Sequence, residues 1–405
     1  MENKQSVHFL LKAKIMNCTG CSACAAACPK GCITMLPDAE GFLSPSVDVG
    51  ICTGCDLCLK VCPVFEKDID HNQYHTLLLD RFNQPIVYAA WHQNSAIRAE
   101  SSSGGVFTAL ADDVLVRQGV VAGAAFDQGF KVRHITIQNK SDLSRLRGSK
   151  YVQSEMNDAF LLHIRNQLKQ KQTILFSGTP CQVAGLRHFL QRTYDNLFCC
   201  DIICHGVPSP LLLAKYAQHV NAKGKQLASI GFRDKATGWK KFSVRQYFTK
   251  GGTKLQPMFA DPYMAAFLRN YALRESCYQC QFTTTQRWGD LTIADFWQVA
   301  KVYPEYDQDD LGTSLVFVNT EKGRLWLKAC RTNLFIGPAD LDAAIAGNPQ
   351  LKTPSRRPAQ RDTFYRDLEL LSFKRLIQKY RLRQIPMLRR TWGAFRRGIK
   401  NWVDR

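Results

Sequence analysis

The chain has 405 residues, 16 of them cysteine, and a formal net charge of +20 from 54 Lys/Arg against 34 Asp/Glu. That length holds two or three domains, and 45% hydrophobic with 22% charged residues is an ordinary globular balance, which excludes a disordered or fibrous chain. No run of about 18 apolar residues predicts a spanning helix, and the first residues lack signal-peptide architecture, so the expected setting is a reducing cytoplasm where dense cysteine means metal or redox chemistry.

The first element is a cysteine run. Cys18, Cys21, Cys24 and Cys28 precede Pro29 with the spacing C-x2-C-x2-C-x3-C-P, and the pattern returns 34 residues later as Cys52, Cys55, Cys58, Cys62 and Pro63. In this two-cluster ferredoxin spacing the fourth cysteine of each run crosses to the other cluster. One 4Fe-4S cluster is therefore expected on Cys18, Cys21, Cys24 and Cys62, the other on Cys52, Cys55, Cys58 and Cys28. A thiolate every third residue can wrap one cubane face while loop N–H groups point at the sulfurs. Zinc is the alternative for C-x2-C pairs, but it leaves the third step and the Cys-Pro ending unexplained. The segment between the runs reads as a short hairpin. Cys32 receives no role.

A polar stretch, Glu66 to His75, separates this module from an α/β body. "PIVYAAWH" (85–92) reads as a strand and "GGVFTALADDVLVRQG" (104–119) as a helix closed by Gly119. "VVAGAAFD", "TILFSGTP" and "FCCDIICHG" read as strands, with a helix over 181–191, and "DLTIADFW" and "TSLVFVNT" as later strands. Strands alternating with helices predict layered α/β architecture. "SSSGG" (101–105) opens the first helix, where serine hydroxyls serve either a phosphate or plain N-capping. No G-x-G-x-x-G follows a strand, so a Rossmann dinucleotide fold is not indicated.

Besides Cys32, seven cysteines lie outside the runs. Cys277 and Cys280 form a C-x2-C pair; with Cys181 and Cys204 they make four thiols at strand ends and loops, enough for a further cluster or a zinc site. Cys199, Cys200 and Cys330 read as core thiols. Cys181 as a nucleophile, with His205 as its base, is the competing reading.

"SSSGGVFTAL", "GSKYVQS", "GTPCQVAGLR", "DIICHGVPSP", "FRDKATGW", "RESCYQCQF" and "DLTIADFW" occur in that order. Over residues 85 to 330 this set resembles the coenzyme F-420 hydrogenase/dehydrogenase beta subunit family, many of whose members carry a ferredoxin module. The resemblance implies a flavoprotein that binds FAD and one 4Fe-4S cluster in this region. Cys181, Cys204, Cys277 and Cys280 would be the cluster ligands. Ser102, Ser103, Gly104, Gly105 and Thr108, with Gly148, Ser149, Lys150 and Tyr151, would line the flavin; Asp295 and Lys235 are further candidates. Glu275 and Ala294 depart from the pattern, where Pro and Gly are expected, as does Gln298, where Gly is usual. The expected domains are a two-cluster ferredoxin domain (1–75), the N-terminal (84–170) and C-terminal (171–350) parts of an α/β flavin-binding domain, and a basic helical tail (355–405).

That tail holds fifteen Lys/Arg against four Asp/Glu, a net of +11. Over 386–403 apolar and basic residues separate to different helix faces, which fits either an anionic bilayer surface or a docking helix with a solvated charged face. The expected location is therefore cytoplasmic, or peripheral on the inner face of the membrane; nucleic acid is not an expected partner. The function expected is an iron–sulfur flavoenzyme that takes electrons from a redox donor protein or reduced ferredoxin and delivers them through FAD. Its acceptor would be a small molecule or a glycan or lipid-linked substrate, in keeping with family members in surface-polysaccharide gene clusters. The alternative is a non-catalytic carrier or adaptor subunit.

Overall fold

The computed structural model describes residues 17–65 and 78–383. The tail helix expected over 386–403 and the whole polar stretch Glu66 to His75 lie outside the described residues. The N-terminal module folds around helix α1 (Ala23–Ala27), a helical turn at Leu57–Lys60, and an antiparallel hairpin of β1 (Ile33–Pro37) and β2 (Leu43–Val47). The two cysteine loops are built alike. Gly20 and Gly54 have φ of 69° and 68°, and each donates its N–H to the sulfur of the cysteine two residues before it, at 3.4 Å. A side chain at that backbone angle is strained, so glycine is what closes the loop.

The body is an eight-stranded mixed sheet. In chain order its strands are β3 (Ile86–His92), β4 (Val120–Phe126), β5 (Val132–Ile137), β6 (Ile174–Gly178), β7 (Leu197–Ile202), β11 (Leu291–Asp295), β12 (Ser314–Val318) and β13 (Leu334–Pro338). Their spatial order is β13-β3-β12-β11-β7-β6-β4-β5. The four central strands β11, β7, β6 and β4 run parallel, and the flanking strands are antiparallel. Each predicted strand named above coincides with one of these. The parallel strands are apolar on both faces, as a doubly covered sheet requires. Val121, Leu175 and Cys200 face helices α2 (Val106–Val116) and α7 (Glu321–Ala329). Ala122, Phe176 and Cys199 face α3 (Asp158–Lys169) and α4 (Pro180–Leu190), and α1 of the N-terminal module packs into that same core. Cys199, Cys200 and Cys330 are thus buried in the body core.

A second sheet, β10 (Thr253–Pro257), β9 (Ser243–Phe248) and β8 (Leu227–Asp234), carries a separate core with helices α5 (Pro210–Asn221), α6 (Pro262–Leu268), α8 (Arg361–Leu370) and α9 (Phe373–Lys379). Among the described residues no helix is long and apolar enough to cross a membrane.

Four buried charges hold the central strands together. Asp290, fully buried, accepts from the Arg187 guanidinium at 3.0 Å, the Cys199 N–H at 2.8 Å and the Thr320 hydroxyl at 3.0 Å. Asp201, also fully buried, accepts from the N–H groups of Trp288 and Gly289, and Arg287 caps Ile202 O at 2.7 Å. Removing one partner leaves the other charge without compensation. Asp290→Ala is expected to cost about 3–5 kcal/mol in denaturant unfolding, because Arg187 is stranded in the core. Asp113→Ala, at the exposed pair with Arg117, is expected to cost under about 1 kcal/mol.

Candidate functional site

The N-terminal cysteines gather into two sets. Burial pushes the Cys24 thiol well above its ordinary range, and next the neighbouring Cys21, Cys18 and Cys62 thiols push it further, with Cys58 of the other set after them. Burial and then Cys21 raise Cys62 to about 12. Cys18, Cys21, Cys24 and Cys62 therefore face one another. Cys28, Cys52, Cys55 and Cys58 line a separate cavity. Cys32 lines it too, its sulfur 3.3 Å from that of Cys28, a fifth thiol at this site that spacing alone did not single out. Cys55 is the exposed cysteine of the chain.

The isolated cysteines come together because two parallel strands end side by side. The register pairs Gly178 of β6 with Asp201 of β7. Cys181 lies three residues beyond the first and Cys204 three beyond the second. Between Gly178 and Cys181, Thr179 and Gln182 form a capping box and Pro180 takes the first helical position, so strand turns into helix within two residues. Cys181 thus sits in the first turn of α4. Burial pushes its thiol well above the usual range, and Cys204, Cys280 and Cys277 push the same way, which marks all four as neighbours. Burial, then Cys277 and Cys280, raise Cys204 to about 12. Among the described residues no three His, Cys, Asp or Glu close on a single-ion site. His205 is turned elsewhere: its Nε2 meets Asn270 Oδ1 at 2.7 Å and its Nδ1 meets Gln350 at 3.2 Å. With its base engaged and its thiol pKa raised, Cys181 is not arranged as a nucleophile.

The third set abuts the first. A side-chain carbon on Gly185, one turn beyond Cys181 on α4, would lie 2.8 Å from the Cys21 sulfur. Glycine there lets the helix touch the N-terminal loop. Arg274 donates to Cys18 O at 2.6 Å, and the Ser276 hydroxyl donates to the same carbonyl at 2.9 Å. The segment carrying Cys277 therefore grips the backbone of the first N-terminal cysteine.

A cleft opens at the carboxyl ends of the parallel strands, the usual ligand position in such sheets. Cys181 and Cys204 line it, together with Ser102, Ser103, Gly105, Thr108, Gly148, Ser149, Lys150, Tyr151 and Asp295. Gly104 does not: a side-chain carbon there would meet Ala90 O at 2.4 Å, so its place is against the sheet. The serines are not caps of α2, whose N-cap is Gly105 at φ 89° with no side-chain cap. Ser102 Oγ instead accepts from the Ser149 N–H at 2.8 Å and the Ser149 hydroxyl at 3.1 Å, joining the two loops. Lys235 donates to the carbonyls of Arg98, Ser103 and Leu311 and pins the serine loop from behind. Asp295 holds Arg233 through two hydrogen bonds, at 2.6 and 2.8 Å, and accepts from Trp239 Nε1 at 2.6 Å. The Arg233 guanidinium lies over Phe242 and Trp297, at 4.2 and 5.1 Å. Arg233 stands inside the "FRDKATGW" motif but carries no signal of its own in sequence.

The comparisons with known proteins fit this geometry. Residues 87–160 and 171–343 match the models for the N terminus and C terminus of the coenzyme F420 hydrogenase/dehydrogenase beta subunit, together well over half of the chain. The chain belongs to that family. Residues 17–65 match a 4Fe-4S dicluster domain, so this member of the F420 hydrogenase/dehydrogenase beta subunit family is an iron–sulfur electron-transfer protein. Among solved structures, a chain of the F420-reducing [NiFe] hydrogenase complex from Methanosarcina barkeri, determined as a xenon derivative, aligns at 15% identity with a TM-score of 0.44, covering 69% of this chain and 98% of that one. The comparison with curated proteins returned no match.

Two departures from the family pattern have local explanations. Gln298 has φ 64°, the backbone angle glycine adopts freely. Glu275 forms ion pairs with Arg357 at 2.8 Å and Arg361 at 3.2 Å. Ala294 lines the cleft.

His134, another cleft residue unmarked in sequence, is 5% exposed and stacks on Phe176. Its Nε2 faces Ser177 O and its Nδ1 faces the Ser154 hydroxyl, both at 3.1 Å. The carbonyl can only accept, so Nε2 carries the proton of a neutral ring and Nδ1 accepts from Ser154. Burial lowers its pKa to about 4. Below its ordinary value near 6.5 the unfolded chain binds a proton that the folded chain refuses. This stability is therefore complete above about pH 6.5 and falls as the pH drops toward 4. In urea unfolding, wild type is expected to lose about 2 kcal/mol more than His134→Gln between about pH 7.5 and about pH 5.

Proposed function

We propose that the chain is an iron–sulfur flavoprotein oxidoreductase. Single electrons from a donor protein enter at the two-cluster module and leave in pairs from the cleft, to a small-molecule, glycan or lipid-linked acceptor such as a surface-polysaccharide intermediate. The observation that carries the reading is that Cys181 and Cys204 share one cleft wall with the serine and glycine loops at 102–108 and 148–151. When bound, 4Fe-4S clusters supply one-electron steps and a flavin converts them to two-electron delivery.

The residues present suit those groups. Helix α2 has no side-chain cap, and Val106, Phe107 and Thr108 of its first turn line the cleft; the Thr108 N–H donates to Gly105 O at 3.1 Å, which leaves the Val106 and Phe107 N–H groups for a diphosphate. Ser102, locked to Ser149, keeps the two loops at a fixed spacing. Arg147, ion-paired with Glu100, donates to the Thr108 hydroxyl at 3.2 Å and fixes that side chain at the same end. Twelve cysteines fall into three sets of four; burial raises the Cys277 thiol to about 11, and the Arg274 and Arg361 charges beside it oppose that rise only in part. Cys55, the exposed cysteine, marks the side a donor can reach.

Anaerobic purification of the full chain is expected to give about twelve irons and one FAD per chain. Cys181→Ala is expected to keep about eight irons, those of the two-cluster module. Equal iron in variant and wild type would remove the third cluster. A chain with full iron and no flavin would instead support the carrier-subunit reading.

A further inference from the structure

Residues 355–383 follow the family match and run back over the junction between the N-terminal module and the body. Their central contact is Arg361, the first residue of α8, whose side chain is 2% exposed. Its guanidinium makes a two-point pair with Glu40, NH1 to Oε1 at 2.7 Å and NH2 to Oε2 at 2.5 Å. It also donates to Leu273 O, from Nε at 3.3 Å and NH2 at 3.1 Å, and pairs with Glu275 at 3.2 Å. Tyr365 and Tyr278 lie against its planar face, at 4.5 and 5.6 Å. Such a fork, flat and always charged, fixes direction as well as distance.

The three partners come from two distant parts of the molecule. Glu40 is in the β1–β2 turn of the two-cluster module. Leu273 and Glu275 lead into Cys277. The same turn is held elsewhere too: Ser209, the N-cap of α5, donates its hydroxyl to Glu40 O, and a side-chain carbon on Gly41 would lie 2.7 Å from Leu211 Cβ. Arg274 reaches Leu43 O at 2.9 Å from the body side. Arg361 is the contact that joins module, loop and C-terminal helix through one side chain.

We propose that Arg361 is a positioning residue: it seats the two-cluster module on the Cys277–Cys280 loop and so fixes the separation of the first and third cysteine sets. This rests on the reading that both sets hold clusters. The carboxylate at Glu275, where the family pattern has proline, then has a purpose. It completes the acidic seat for Arg361 and Arg357.

The test uses the full chain, reconstituted anaerobically, with Arg361→Gln, Glu40→Gln and, as a control, Arg357→Gln. Iron content, magnetic coupling between the reduced first and third clusters, and hydrogen exchange over residues 38–44 are measured. Arg361→Gln and Glu40→Gln are each expected to retain iron, to weaken the coupling, and to raise exchange in the β1–β2 turn roughly tenfold. Arg357→Gln, which does not touch Glu40, is expected to change neither. If Arg361→Gln fails to fold, Glu40→Gln carries the test, because Glu40 is partly exposed. Wild-type coupling and exchange in both variants, with about twelve irons retained, would overturn the seat alone. A wild-type chain holding only about eight irons would remove the third cluster and the proposal with it.

Discussion

The register between β6 and β7 governs the site. Parallel pairing of Gly178 with Asp201 ends two strands at the same level, and each then runs three residues to a cysteine. Side chains alternate with a period of two, so a slip of one residue would turn Phe176 and Cys199 out of one core and Leu175 and Cys200 out of the other. The turn before β11 is tied to β7 by the Arg287–Asp201 pair and the Cys199 N–H to Asp290, and to α4 by the Arg187–Asp290 pair. Electrostatics is spent here on alignment, which is the role in which buried charges are best attested.

From that fixed edge the other contacts follow in sequence. The first turn of α4 carries Cys181, and the next presents Gly185 to Cys21. The Cys277 segment grips Cys18 O through Arg274 and Ser276. Cys21, Cys62, Cys181 and Cys280 border one apolar core, whereas Cys24, Cys28, Cys52 and Cys58 border another nearer the module's exposed side. The cysteine sets thus run from the surface at Cys55, through the module, to the cleft wall at Cys181 and Cys204. Burial at the inner end keeps Cys181, Cys204 and Cys277 in a low-dielectric surround, where a charged neighbour such as Arg274 acts strongly.

Much of this was legible in the sequence because local chemistry repeats it. The two cysteine runs are self-similar, and Thr179-Pro180 announces both a strand end and a helix start. Apolar strands such as 174–178 and 314–318 stand out because both faces are covered. The β8–β10 sheet carries no element in the sequence reading: its edge strand is largely exposed, β8 pairs with register shifts, and the alternation is weak. Contacts between distant residues were equally hidden. Gly185 reads as an ordinary helix glycine until Cys21 is placed against it. Arg361 and Glu40 are 321 residues apart, and nothing in either neighbourhood points to the other. Gly104 shows the reverse error, since a motif position next to the cleft serves the sheet behind it.

The account stands or falls on whether the third cysteine set connects the module to the cleft. The direct measurement is stopped-flow reduction of the proposed flavin by a one-electron donor protein, comparing wild type with Cys181→Ala chains that both retain flavin and module iron. The account predicts rapid flavin reduction in wild type and none on that timescale in the variant. Equal rates in the two chains would contradict it.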